Sequence, residues 1–542
     1  MFVVKSERLI AATLLAMSVV VSCPAEASGL EPQLAVASGI LRAAPVGADG
    51  ILAFKGIPYA APPVGALRWH APMPAQHWDG VRDASTFGAS CLSAWSQDRE
   101  PGLRRSEDCL TLNVWSGAKA AQERRPVMVW LHGGGFQFGT SASPQFGGEP
   151  LASKGAVVVS LNYRVGVFGF LAHPRLDREG PSGAYGLQDQ LAALRWVKHN
   201  IARFGGDPAN VTLFGESAGA HAIGILMASP LSKGLFHKAI GQSGAFWDGP
   251  NGPLESRADA HARGTAFARQ LASGSIETLR ALPADKVNAA AMWDFSTNPA
   301  ETAFSPNIDG YVVPEAPAAR FARGRQMRIP LLAGWVEDEG YPFDALGLPH
   351  RNAAEFRDAA QAMFGKNRMA AFLKLYPAAT DEQANASARA LTGDLVIGEQ
   401  VWQWLEFQRR TRSPVYGYKF TYTSPYTPVA AHITDVPFVF GTLTPQFILG
   451  IRTPSAPDDR AFSDQVMAYW VNFAAHGNPN GPGLAQWPTY DATGTIQDLG
   501  RAIGPRSNDQ AARFRFIAGY RKGGVLPAKW LDAAIHERQA AP

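Results

Sequence analysis

Cysteine is scarce in this chain: Cys23, Cys91 and Cys109 are the only three in 542 residues. No Cys-x-x-Cys and no His-Glu-x-x-His occurs, so the sequence offers no zinc site, and no metal is expected. An excess of one charge is lacking too. The 50 basic and 46 acidic residues leave a net charge of +4, with no Lys/Arg run, which excludes a nucleic-acid footprint. Beyond the N-terminus no apolar stretch reaches membrane-spanning length, so no integral membrane span is expected. Internal repeats and low-complexity linkers are missing as well. What remains is globular: 46% hydrophobic residues are too many for a disordered chain, and 54 Gly with 40 Pro show no collagen period. Length alone allows two or three domains, but the texture is that of one elaborated domain.

The N-terminus reads as an address. Lys5 and Arg8 precede an apolar run from Leu9 to Val21, and Ala25-Glu26-Ala27 supplies a small-x-small cleavage site. Residues 1–27 are therefore expected to be a signal peptide and 28–542 a single mature domain, secreted or periplasmic. Val20-Val21-Ser22-Cys23 also has the shape of a lipoprotein cleavage box, which would leave a lipid anchor at Cys23. A buried N-terminal helix is the plainer alternative. In an oxidising compartment Cys91 and Cys109 are expected to form a disulfide, against the alternative of two buried thiols.

From Gly39 to Asn113 the chain is punctuated by Pro and Gly and reads as a meander of short strands. Val127–Leu131 and Ala156–Leu161 are apolar runs, broken only by Ser160, as strands buried on both faces should be. Leu187, Leu191, Leu194 and Ile201 recur at helical spacing before Gly205-Gly206, and the strand Val211–Phe214 follows. Ala239-Ile240, Pro330–Ala333 and Val415–Tyr422 are further strands, and Phe462 to Phe473 marks a late amphipathic helix. Residues 248–328 are Ala-rich and polar and read as a helical insertion. Strands separated by such helices predict an α/β fold: a large, mostly parallel central sheet with helices on both faces and helical insertions.

Gly215-Glu216-Ser217-Ala218-Gly219 follows a predicted strand and opens a small-residue helix. A nucleophilic serine needs that strained strand-to-helix turn, and the helix N-terminus favours negative charge beside it. His132-Gly133-Gly134-Gly135-Phe136 follows another strand, where paired backbone N–H groups can hold an oxyanion. Its glycines fit neither a dinucleotide loop nor a Walker loop. The order Ser, acid, His places the acid among Glu337, Asp338 and Glu339 and the base among His350, His432, His476 and His536. Of these, His432 lies in an apolar-flanked loop after a strand. Phe136, Phe138, Phe246 and Trp247 are candidate pocket walls, with core packing as the alternative for each. Glu216 is a candidate substrate-facing charge.

In these residues the chain resembles the type-B carboxylesterases, a group within the α/β-hydrolase superfamily that includes para-nitrobenzyl esterases and cholinesterases. Phe54-Lys55-Gly56-Ile57-Pro58-Tyr59-Ala60, Ser106-Glu107-Asp108-Cys109-Leu110, Asn162-Tyr163-Arg164-Val165-Gly166 and Gln242-Ser243-Gly244 extend the match over about residues 34–500. The resemblance implies Ser217, Glu339 and His432 as catalytic triad, and Gly134, Gly135 and Ala218 as oxyanion hole. It also implies a Cys91–Cys109 disulfide and the ion pairs Arg68–Glu107 and Arg164–Asp189. A small-molecule ester and water are the implied partners, acting through an acyl-enzyme without any cofactor. Neutral esters are expected, because the loop between the cysteines is shorter than in cholinesterases and Trp95 stands out of place for a choline site. Hydrolysis of carbamates, amides or thioesters is the alternative. A non-catalytic binding module of this fold is the remaining one, and all three triad positions being filled speaks against it.

Overall fold

The computed structural model describes Met1 and residues 30–523, apart from 47–49, 94–102, 246–247, 250–251, 272–274, 293–303, 342–351 and 445–452. Met1 aside, the expected leader, Cys23 included, lies outside the described residues, as does Trp95.

Eleven strands form the central sheet. In chain order they are β1 (Ala44–Val46), β2 (Ile51–Pro58), β3 (Thr111–Ser116), β4 (Arg125–Leu131), β5 (Val157–Leu161), β6 (Gly206–Glu216), β7 (Lys238–Gln242), β8 (Leu331–Val336), β9 (Val415–Phe420), β10 (Thr495–Leu499) and β11 (Gly504–Ser507). Across the sheet they lie in the order β11-β10-β9-β8-β7-β6-β4-β5-β3-β2-β1. Every neighbouring pair from β5 across to β10 is parallel. Antiparallel strands close both ends. A separate three-stranded sheet is built from Gln33–Val36, Gly39–Arg42 and Val81–Asp83.

The inner strands read as continuous apolar runs because both faces are covered. Val127, Val129 and Leu131 of β4 enter one core, while Met128 and Trp130 enter a second core. Trp130 is held there by the rings of Phe146, Phe214 and Phe440, at centroid distances of 5.1, 4.9 and 4.9 Å. Five helices matter most below: α1 (Tyr185–Asn200), α2 (Ala218–Ala228), α3 (Asp381–Gly393), α4 (Glu399–Arg409) and α5 (Pro457–His476). A 3-10 turn, Ile201–Phe204, extends α1 to Gly205, whose φ of 78° supplies the expected left-handed stop. Between β7 and β8 the described chain is mainly helical, as its composition predicts.

The helical run from Ala353 to Arg409 has no counterpart in the sequence reading. It comprises Ala353–Phe364, Met369–Leu375, α3, the π-helical turn Asp394–Gly398 and α4. Near the start of the chain, Cys91 and Cys109 are joined by a disulfide. Arg68 clasps Glu107 at 2.6 Å beside it, and the buried Arg164 and Asp189 meet at 2.7 Å. Among the described residues no helix is long and apolar enough to cross a membrane.

Candidate active site

Strand order brings the two informative loops together. β4 is followed in the chain by β5 on one side of it and, later, by β6 on the other, so the sheet reverses direction at β4. In parallel α/β sheets such a reversal opens a crevice at the carboxyl ends of the strands. Leu131, ending β4, pairs with Gly215 near the end of β6, which sets the glycine loop beside the turn carrying Ser217.

Ser217 occupies that turn with φ 53° and ψ −122°, a conformation costing on the order of 1–3 kcal/mol outside glycine. Its N–H donates to the Gln242 carbonyl and its own carbonyl accepts from the His221 N–H, both at 2.9 Å, so the strain is held from two sides. Gly219 lets α2 leave at this angle, since a Cβ there would stand 2.0 Å from the Leu131 carbonyl oxygen. Ala218 is the first residue of α2, so its N–H has no acceptor within the helix.

Across from it, Gly134 and Gly135 hold φ of 107° and 59°. The Gly134 carbonyl accepts from the N–H groups of Gln137 and Phe138, which tightens the loop. The Phe138 ring edge lies against Gly134, and the residue stays half-buried. Phe136 is buried in the core with its ring edge-on to Phe170 at 5.4 Å. Its placement follows the packing alternative. Phe246 and Trp247 lie outside the described residues.

The acid and the histidine arrive on β8 and on the loop after β9. Asp338 donates its backbone N–H to Ala430 and bridges to Ala431, which draws that loop across the end of β8. Glu339 Oε2 then lies 2.8 Å from His432 Nδ1, while its Oε1 accepts from the Val336 N–H at 2.9 Å. The neighbouring acids are taken elsewhere. Asp338 is paired with Arg389, whose guanidinium stacks on Tyr341 at 4.9 Å, and Glu337 is paired with Lys419. His350 and His536 lie outside the described residues, and His476 ends α5.

Glu216 is placed differently from its sequence reading. It is buried, and its Oε1 stands 3.1 Å from His432 Nε2, so the imidazole is bracketed by two carboxylates. Asp435 completes the cluster, accepting from Gln242 Nε2 and from the Tyr418 hydroxyl, both at 3.0 Å. Burial works against a charged His432, yet Glu216, Glu339 and Asp435 outweigh it and raise the imidazolium to about 9. Burial pushes Glu216 well above the usual carboxylate range, reinforced by Asp435 and Glu339 and opposed by His432. Asp435 is raised to about 6, chiefly by burial and against the hydrogen bonds it accepts. Chemically, this is a strained serine at a helix N-terminus, with a glycine loop beside it and a basic imidazole oriented by a buried carboxylate nearby.

A family model described as "Carboxylesterase family" matches residues 31–515. The chain belongs to the carboxylesterase family. A fumonisin B1 esterase from Sphingopyxis macrogoltabida is 37% identical over 467 residues, 83% of this chain and 84% of that protein. The para-nitrobenzyl esterase of Bacillus subtilis (strain 168) is 36% identical over 455 residues, 82% and 89% of the two chains. Among solved structures, the Geobacillus stearothermophilus carboxylesterase EST55 superposes with a TM-score of 0.77 at 32% identity, covering 90% of this chain and all of that one. The fold is thus the α/β-hydrolase fold, and this carboxylesterase is a carboxylic-ester hydrolase.

Proposed function

We propose that the esterase is an exported enzyme that cleaves small to medium neutral esters through an acyl-enzyme on Ser217. The supporting observation is the 2.8 Å contact of His432 Nδ1 with Glu339, on a histidine loop brought to the sheet edge that carries the strained Ser217. Ser217 Oγ attacks the ester carbonyl as His432 Nε2 takes its proton, and Glu339 holds the ring and stabilises its charge. The N–H groups of Gly134, Gly135 and Ala218 receive the oxyanion, where one such donor is typically worth about 10²–10³ in rate. His432 then protonates the departing alcohol, and water repeats the sequence to free the acid. Export rests on the N-terminal sequence and on the disulfide.

A fluorophosphonate probe tests the nucleophile. Wild-type enzyme should be labelled stoichiometrically and Ser217→Ala not at all, with turnover lower by on the order of 10⁴-fold or more. Labelling of the variant at the wild-type rate would remove Ser217 from this role. Ester, thioester, carbamate and amide analogues of one acyl group, compared by kcat/KM, then test the substrate class. A preference for the amide or carbamate would overturn the ester reading.

A further inference from the structure

His221 is a buried titratable group that the mechanism above does not use. It stands on α2 four residues after Ser217, and helical Cα–Cβ bonds lean toward the N-terminus, so its side chain is directed at the nucleophile's turn. The loop after β7 closes over the same turn: a Cβ on Gly244 would lie 2.5 Å from the Ser217 carbonyl oxygen. From that loop the Ala245 N–H points at His221 Nδ1, 3.2 Å away. An amide N–H can only donate, so Nδ1 is the acceptor and the remaining ring proton is on Nε2. Burial, with the charge of His432 acting in the same direction, holds the ring down to about 4, so it is neutral in the working range. The residue keeps 8% of its surface accessible. A neutral N–H donor of fixed tautomer is thus carried about one helical turn from the nucleophile, on the nucleophile's own helix.

The acyl group remains bonded to Ser217 through both half-reactions, whereas the alcohol leaves past His432. A donor on the Ser217 helix that reaches the bound substrate would therefore act on the acyl group in both steps. Glu216 and Glu339 bracket His432, and Asp435 stands beside them.

We propose that His221 Nε2–H donates a hydrogen bond to the acyl group, so that the esterase prefers acyl chains carrying a neutral acceptor oxygen a few atoms from the scissile carbonyl over hydrocarbon chains of equal length. This rests on the Ser217 ester-hydrolase reading and names the acyl class within it.

The test compares para-nitrophenyl esters of methoxyacetate, 3-methoxypropanoate and 4-oxopentanoate with those of butanoate, pentanoate and hexanoate in the full chain. Taking the ratio of kcat/KM within each pair, and following its change on mutation, cancels the intrinsic reactivity of the two esters. His221→Asn keeps an acceptor for the Ala245 N–H but does not reach as far as Nε2. His221→Gln places an amide nitrogen where Nε2 stands and gives up the acceptor. In at least one pair the oxygen-to-hydrocarbon ratio should fall on the order of 3–10-fold in His221→Asn and be largely kept in His221→Gln. A ratio unchanged in His221→Asn, with any loss shared equally by both esters, would reduce His221 to a structural support and overturn the proposal. So would a mutational effect that follows the alcohol group at a fixed acyl group. A wild-type chain that neither reacts with fluorophosphonate nor hydrolyses any of the six esters would instead overturn the ester reading, and this proposal with it.

Discussion

At the scale of single residues, the acid cluster Glu337-Asp338-Glu339 separates into three jobs. Only Glu339 meets His432, and Asp338 is spoken for by Arg389. Glu339→Gln should lower kcat by on the order of 10²–10⁴-fold, through the wrong tautomer and the lost charge. Asp338→Asn should cost less than about tenfold, acting through the Arg389 ion pair and the hydrogen bond that Asp338 accepts from the Tyr341 N–H. Steady-state rates on one ester decide this, and the reverse ranking would move the acid to Asp338. Glu216 has a different signature. Its carboxylate raises the His432 pKa, and a base works only when unprotonated, so kcat/KM should climb as pH rises through that pKa. Glu216→Gln removes one of the carboxylates that stabilise the imidazolium and should move the acid limb of the profile to lower pH. An unmoved limb would mean that Glu216 does not sense the His432 proton. His432 was among the histidines that chain order left open, and the family resemblance singled it out. The closeness of Glu216 to Nε2 was not visible in the sequence, because it depends on how the loop after β9 folds back over the end of β6.

At the scale of elements, the strands were legible where both faces are covered: Val127–Leu131 is wholly apolar, and in Val157–Leu161 only Ser160 is polar. The helices from Ala353 to Arg409 were not. α3 buries Ala384, Ser387, Ala388, Leu391, Thr392 and Gly393, a face of mostly small residues that leaves no apolar stripe to recognise. That face matters because it seats the acid. A Cβ on Gly393 would lie 2.6 Å from the Gly340 N and 3.0 Å from the Glu339 Cβ, and the π-helical turn Asp394–Gly398 starts at the next residue. Gly393→Ala should therefore push the Glu339 turn away from His432. The expected outcome is a fall in kcat, and in the fluorophosphonate labelling rate, measured well below the melting temperature. Overpacking should also cost about 1–3 kcal/mol of stability. A loss of stability with the labelling rate intact would show that the turn yields without disturbing the acid.

At the scale of the molecule, what holds the chain together is distributed differently from what makes it work. The Cys91–Cys109 disulfide closes a loop across a sequence separation of 18, worth about 3 kcal/mol in the chain-entropy model. Cys109→Ser should lower stability by about 2–5 kcal/mol in denaturant melts while leaving kcat on a small ester nearly unchanged. A change in kcat as large as that of Glu339→Gln would tie the loop to the site. The site itself is gathered from across the chain. Gln242 touches both halves, its carbonyl receiving the Ser217 N–H and its side-chain amide donating to Asp435, 193 residues further on. One glutamine thus ties the nucleophile's turn to the histidine's loop. During synthesis, Ser217 and its backbone donors leave the ribosome long before the segment that supplies His432, so a partly made chain carries a nucleophile with no base. On the proposed mechanism, hydrolysis waits until the segment that carries His432 has docked against the Ser217 turn.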